Sequence, residues 1–336
     1  MNSYERVMNR FEGREVDRLP NFSIVMMFAA KQIGINYGEF LTDYKKLSEA
    51  VLYCHEKFGI DVLSAISDSM REVEGFGGKV RIYEDKSPEA VEYVIKNESD
   101  ISALKLFDPY SSRRTYDRIQ AVGLMKQKSC GEVPVMGWIE GAFAESCDLM
   151  RMEDLFVSLL EDPDPIVELL EKCTEEEIMF AKAQIDAGAD IIGLGDAATS
   201  LIGPSLYEKF VLPYQQRIIN AIHEKGAKVK LHICGNISSV IDLAYRSGAD
   251  MIDLDYMVDM EKAAEIIPRN ICICGNFNPV SVVLDGTPEQ VKEEVGRCKK
   301  LSLVNNNCIA PGCEIPPDTR VENVLAIQEA IEDNNY

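Results

Sequence analysis

Eight apolar runs of strand length recur along this chain, at 19–26, 61–66, 133–139, 190–195, 228–233, 250–254, 270–275 and 308–313. Most are rich in Val and Ile and bounded by Gly, Asp or Pro, as strands are. Helical stretches separate them; 163–186, 204–225, 238–247 and 288–301 carry amphipathic spacing. Strand and helix in alternation require parallel strands, because the chain must cross back over each helix before the next strand starts. Eight such units in 336 residues predict an α/β fold, a (β/α)8 barrel forming a single domain over 1–336. Two segments stand outside the pattern. Residues 1–18 read as a charged N-terminal helical segment that would close the barrel floor. Residues 79–95 alternate on either side of a Ser-Pro turn and read as a β-hairpin insertion.

Polar residues gather at the carboxyl ends of these runs. Glu140 follows the third and Asp196 the fourth, His232 and Cys234 end the fifth, Asp255 the sixth, Asn276 and Asn278 follow the seventh, and Cys313 and Glu314 end the eighth. In a barrel these ends share one rim, where active sites form. Ordinary loop polarity explains the Asp and Asn residues. It does not explain a histidine and two cysteines.

The formal net charge of −21 repels phosphate backbones and argues against a nucleic-acid partner. No apolar stretch approaches the ~20 residues of a membrane span, and the first ten residues are polar and charged, so a cytoplasmic location is expected. The ten cysteines are then expected to be thiols rather than disulfides.

Leu231-His232-Ile233-Cys234-Gly235 is the sharpest local feature. On a strand, residues two apart share a face, so His232 and Cys234 would both point into the barrel mouth. Cys313, in Ala-Pro-Gly-Cys-Glu, can reach them from the last run. Imidazole and two thiolates suit tetrahedral zinc, and three protein ligands leave a position open for chemistry. Spacing alone leaves other readings open. A buried histidine is more often a hydrogen-bonded core residue, and Cys272-Ile273-Cys274 offers a competing pair on the seventh run.

Several stretches resemble the uroporphyrinogen decarboxylase superfamily: GREVDRLPNF near the N-terminus, SDSMREVEGFGGKV at 67–80, IGPSLYEKFVLPYQQRIINAIHEKGAKVKLHICGN at 202–236, ICGNFNPVSVV at 273–283 and CEIPPDTRVENVLAI at 313–327. The resemblance is greatest to the branch of zinc methyltransferases that includes methylcobamide:coenzyme M methyltransferases and the methyltransferase components of bacterial O-demethylases. It implies a (β/α)8 barrel with zinc on His232, Cys234 and Cys313. A fourth ligand would come from substrate or a protein oxygen; Glu140 and Glu145 are candidates by position. Asp68 matches the superfamily's mechanistically central aspartate, and Asp196, Asp255 and Asn276 are candidates to orient substrate.

The resemblance further implies methyl transfer between a small substrate and the cobalt of a corrinoid. That substrate would be a thiol such as coenzyme M or a methoxylated or methylated donor. The corrinoid-attachment signature D-x-H-x-x-G is absent: Tyr53, Ala221 and Lys230 stand two residues before the three histidines. The corrinoid would therefore arrive on a separate corrinoid-binding protein. Two alternatives are a uroporphyrinogen decarboxylase and a non-catalytic zinc-binding barrel. The first lacks support at 26–34, where that enzyme's arginines for the porphyrinogen carboxylates have no counterpart.

Overall fold

Seven short strands pair side by side in chain order, all in parallel, in the computed structural model, which describes residues 1–302 and 305–333. They are β1 (Leu63–Ser64), β2 (Val135–Glu140), β3 (Ile191–Gly195), β4 (Lys228–Ile233), β5 (Met251–Leu254), β6 (Cys272–Cys274) and β7 (Asn307–Cys308). The interior of β2 to β6 is buried on both faces, which is why these strands read as nearly continuous apolar runs. The parallel register places Glu140, Gly195, His232, Asp253, Cys274 and Cys308 in one row across the sheet.

The first apolar run, 19–26, does not form a ladder strand; it makes an isolated bridge, Asn21 to Ile309. Pro20 has no N–H to give. The segment nevertheless connects the two edges of the sheet. Phe22 N donates to Ile309 O at 2.8 Å and Ile309 N to Pro20 O at 2.9 Å on the β7 side, while Asp61 N donates to Asn21 O at 2.9 Å on the β1 side. The sheet is thus curled, with residues 20–22 between its first and last strands.

The helices follow the expected stretches with one division. The stretch 204–225 is two helices, Pro204–Phe210 and Leu212–Glu224, because Pro213 cannot donate to the preceding turn. The helix Ser3–Phe11 opens with a capping box on Asn2. Val80–Arg81 and Glu89–Ala90 form a short antiparallel pair.

One buried carboxylate ties the N-terminal segment to β1. Asp61 is fully buried and accepts from Arg6 Nη1 at 2.8 Å, Arg18 Nη1 at 2.6 Å, Ser3 Oγ at 2.7 Å and the backbone N of Asn21 at 2.8 Å. Asp61→Ala would leave the buried Arg6 guanidinium and the partly buried Arg18 guanidinium without their shared partner. It is expected to destabilise the fold by about 3–5 kcal/mol, measured as a lower urea midpoint. An unchanged midpoint would contradict this role.

Candidate metal centre and active site

Strand alternation on β4 turns Val229, Leu231 and Ile233 one way and Lys230, His232 and Cys234 the other. The His232 Nε2 to Cys234 Sγ distance is 3.1 Å and the Cys234 Sγ to Cys313 Sγ distance is 4.0 Å. The ligand atoms of His232, Cys234 and Cys313 all lie within 4.8 Å of one another. They form the one group of three or more metal-competent side chains among the described residues.

Cys313 reaches this place through a segment held on both flanks. Gly312 N donates to Phe277 O at 2.8 Å, and Ile315 N to Ile24 O at 2.9 Å. At Gly312 a β-carbon would stand 2.2 Å from the backbone N of Tyr256, so only glycine lets the chain pass there. Gly193 has a comparable role on β3: a β-carbon would meet the Trp138 ring at 2.1 Å, and its absence gives that ring room at the cavity wall.

The His232 ring is oriented by Asp253, its neighbour in the register. Asp253 Oδ2 stands 2.8 Å from His232 Nδ1 and 2.7 Å from Lys230 Nζ, contacts that are ionic rather than aligned hydrogen bonds. Nε2 is left to face the cysteines. A carboxylate behind a ligating imidazole fixes its orientation and raises its basicity. Burial opposes the charge on Asp253, but Lys230 and His232 outweigh it and lower the carboxyl to about 2. Burial likewise opposes charging His232, yet Asp253 and Cys313 raise it to about 10. A hydrogen bond from Cys234 and the nearby His232 lower Cys313 to about 4, while Cys234 is pushed up.

A cavity of about 210 Å³ opens beside the triad, lined by Ile24, Met26, Ile66, Asp68, Ser69, Trp138, Glu140, Gly195, Asp196, Ala197 and Glu314 together with the three ligands. Asp68 forms a bidentate pair with Arg114, which outweighs burial and lowers its pKa. Asp196 accepts from Ala144 N at 3.0 Å and Gln215 Nε2 at 2.8 Å, and burial raises it to about 7. Glu140 accepts from Trp138 Nε1 at 3.2 Å and Arg71 Nη2 at 3.4 Å, and burial raises it well above the usual range.

Glu140 thus lines the cavity but stands outside the triad's ligand cluster. Glu145 lies on the helix Ala142–Leu149, buried, with neither carboxylate oxygen hydrogen-bonded, and does not line the cavity. Asp255 and Asn276 do not line it either. Asp255 Oδ1 accepts from Met257 N at 2.9 Å, and Asn276 Nδ2 donates to Asp255 O at 2.9 Å and Val258 O at 2.6 Å. Their contacts shape the loop against which Gly312 packs. The competing cysteines Cys272 and Cys274 are buried; Cys272 Sγ stands 3.5 Å from Cys308 Sγ. Sequence reasoning missed Asp253, Lys230 and Trp138. The pattern Lys-x-His-x-Cys was the available signal for Lys230.

The family model described as uroporphyrinogen decarboxylase (URO-D) matches residues 2–334. The chain is 28% identical to the methylcobamide:CoM methyltransferase MtbA of Methanosarcina acetivorans, over 99% of this chain and 98% of that protein. It is 23% identical to a uroporphyrinogen decarboxylase of Syntrophotalea carbinolica, over 91% of this chain and 89% of that protein. Among solved structures, a methyltransferase from Methanosarcina mazei superposes with a TM-score of 0.90 at 22% identity, covering 98% of both chains. A B12-independent methionine synthase from Shewanella superposes with a TM-score of 0.59 at 15% identity, covering 93% of this chain and 97% of that one.

Two outcomes are expected of the triad. Without a metal, His232 is raised and Cys234 pushed up while Cys313 is lowered, which favours a proton on each of the first two groups at neutral pH. Ligation needs a neutral imidazole and two thiolates, so uptake of a dication at pH 7 should release about two protons, and affinity should rise with pH. Calorimetry in buffers of different ionisation enthalpy measures that number; no proton release would contradict the ligand set. Asp253→Asn should weaken metal binding about 10–100-fold in chelator competition, and unchanged affinity would remove Asp253 from the site.

Proposed function

This chain belongs to the uroporphyrinogen decarboxylase family, and we propose that within it the protein is a zinc methyltransferase, moving a methyl group between a small substrate and the cobalt of a separate corrinoid protein. The observation that carries the reading is the triangle of His232, Cys234 and Cys313 at the carboxyl end of a curled parallel sheet, open to a cavity and backed by Asp253. The donor set fits zinc: one imidazole nitrogen and two sulfurs, with room for one further ligand. We place the site at the mouth of a (β/α)8 barrel, with residues 20–24 as its eighth stave; the backbone bonds at 20–22 support that reading.

When bound, zinc would lower the proton affinity of a substrate thiol or polarise the oxygen of a methyl ether. The rest falls to the chain. Cys234 and Cys313 as thiolates balance the dication's charge. Asp253 holds the His232 ring with Nε2 toward the metal position. Asp68, Glu140 and Asp196 border the cavity that the small substrate would fill, and Ile24, Ile66 and Trp138 give it an apolar wall. Asp255 and Asn276 support the loop behind Cys313. A cavity of about 210 Å³ has no room for a corrin ring, so the cobalt would be presented from outside by its carrier protein.

Decarboxylation of a porphyrinogen is disfavoured by the helix Met27–Gln32, where that enzyme would carry arginines. The cation there, Lys31, is half exposed and paired with Asp318 at 2.6 Å. Among the described residues no helix is long and apolar enough to cross a membrane.

The protein is expected to bind about one zinc per chain. Cys234→Ala with Cys313→Ala should abolish that binding without unfolding, since the core is built elsewhere. Zinc-loaded protein, mixed with methylcobalamin or reduced cobalamin and a panel of thiols and methyl ethers, should interconvert the two cobalamin forms, followed optically. Full zinc occupancy in the double variant, or conversion of uroporphyrinogen to coproporphyrinogen at an enzymatic rate, would contradict the proposal.

A further inference from the structure

The cavity beside the triad has a one-sided charge complement. Asp68, Glu140, Asp196 and Glu314 line it, and its lining contains no lysine or arginine. The buried cations nearby are already matched to other carboxylates. Arg114 is bidentate on Asp68. Arg71 donates to both oxygens of Glu72, at 2.8 and 3.1 Å, and reaches Glu140 only at 3.4 Å. Lys230 pairs with Asp253 at 2.7 Å. A dication on the triad would be balanced by the two cysteine thiolates. Glu140 shares Arg71 with Glu72, while Asp196 and Glu314 have no cation in contact. Asp196 and Glu314 accept from uncharged donors, Ala144 N and Gln215 Nε2 for the first and Met27 N at 3.0 Å for the second.

We propose that the part of the small substrate lying in this cavity, away from its zinc-binding atom, is neutral or positively charged and not an anion; this rests on the methyl-transfer reading above. Ionised, a carboxyl group repels an anion; protonated, it gives one O–H donor but still no positive charge. An incoming sulfonate, phosphate or carboxylate would meet three such groups, and no guanidinium or ammonium in the lining. An unmatched buried like-charge contact is the type of repulsion by which sites reject a ligand. An ammonium or a hydroxyl, in contrast, finds acceptors on Glu140 and Asp196, and the apolar wall of Ile24, Ile66 and Trp138 accommodates the alkyl portion.

Three thiols with the same two-carbon tether and different ends test this: 2-mercaptoethanesulfonate, 2-mercaptoethanol and 2-aminoethanethiol. Their affinities for the zinc-loaded protein are measured by calorimetry and normalised to the thiolate fraction of each. The alcohol and the amine are expected to bind at least about tenfold tighter than the sulfonate. The gap should narrow severalfold in a Glu140→Gln, Asp196→Asn double variant, and part-way in Glu140→Gln alone, which keeps an acceptor for Trp138. Sulfonate binding as tight as the alcohol, or a gap unchanged in both variants, overturns the inference while leaving methyl transfer standing. Binding of none of the three would remove the zinc-site reading itself, and this inference with it.

Discussion

The carboxylate of Asp253 sits between two basic side chains of the neighbouring strand, and the arrangement of the site depends on it. Parallel register sets Asp253 directly beside His232, while Lys230 lies one pleat below on the same face of β4. All three are buried. Their charges are tolerable there because each has a partner within reach; deleting one member of such a group costs far more than the group contributes. The same contact decides which imidazole nitrogen is free. With Nδ1 on Asp253, Nε2 faces Cys234 and Cys313, so the polarity of the sheet interior determines the orientation of the ring.

Cys313, the third member of the triad, comes from the segment after β7, and its position is a consequence of how the sheet curls. Residues 20–22 connect β1 to β7 through backbone bonds, and Asp61 ties that segment to the N-terminal helix. The 309–315 segment then runs between Phe277 on one side and Ile24 on the other. Gly312 lets it pass within contact of Tyr256, which delivers Cys313 to the pair on β4. Damage at Asp61 therefore acts on the frame that brings Cys313 across, although Asp61 itself touches no ligand.

Much of this was legible in the chain because strand alternation has a strict period. His232 and Cys234, two apart on an apolar strand, had to share a face, and Cys313 at the end of the last run had to share their rim. Asp253 was not legible for a related reason. Asp253 and Asp255 both lie in Ile-Asp-Leu-Asp-Tyr, and position alone favoured the one at the strand end. Register against β4 selects Asp253, and register is a property of pairs of strands that no single run displays. Asp255 and Asn276 instead serve backbone groups of the loop wall. The run at 19–26 looked like a strand by composition, yet Pro20 removes a ladder donor and only an isolated bridge forms. Glu140 ends β2 and lines the cavity, but Trp138 and Arg71 hold its carboxylate, and it lies outside the cluster of His232, Cys234 and Cys313.

The proposed function requires that the triad hold zinc with one position free for substrate. X-ray absorption at the zinc edge, on loaded protein before and after adding a small thiol, tests it most directly. One nitrogen and two sulfur ligands are expected from His232, Cys234 and Cys313, and a third sulfur when the thiol binds. A sphere lacking both cysteine sulfurs, or one unchanged by every thiol and methyl ether at saturation, would contradict it.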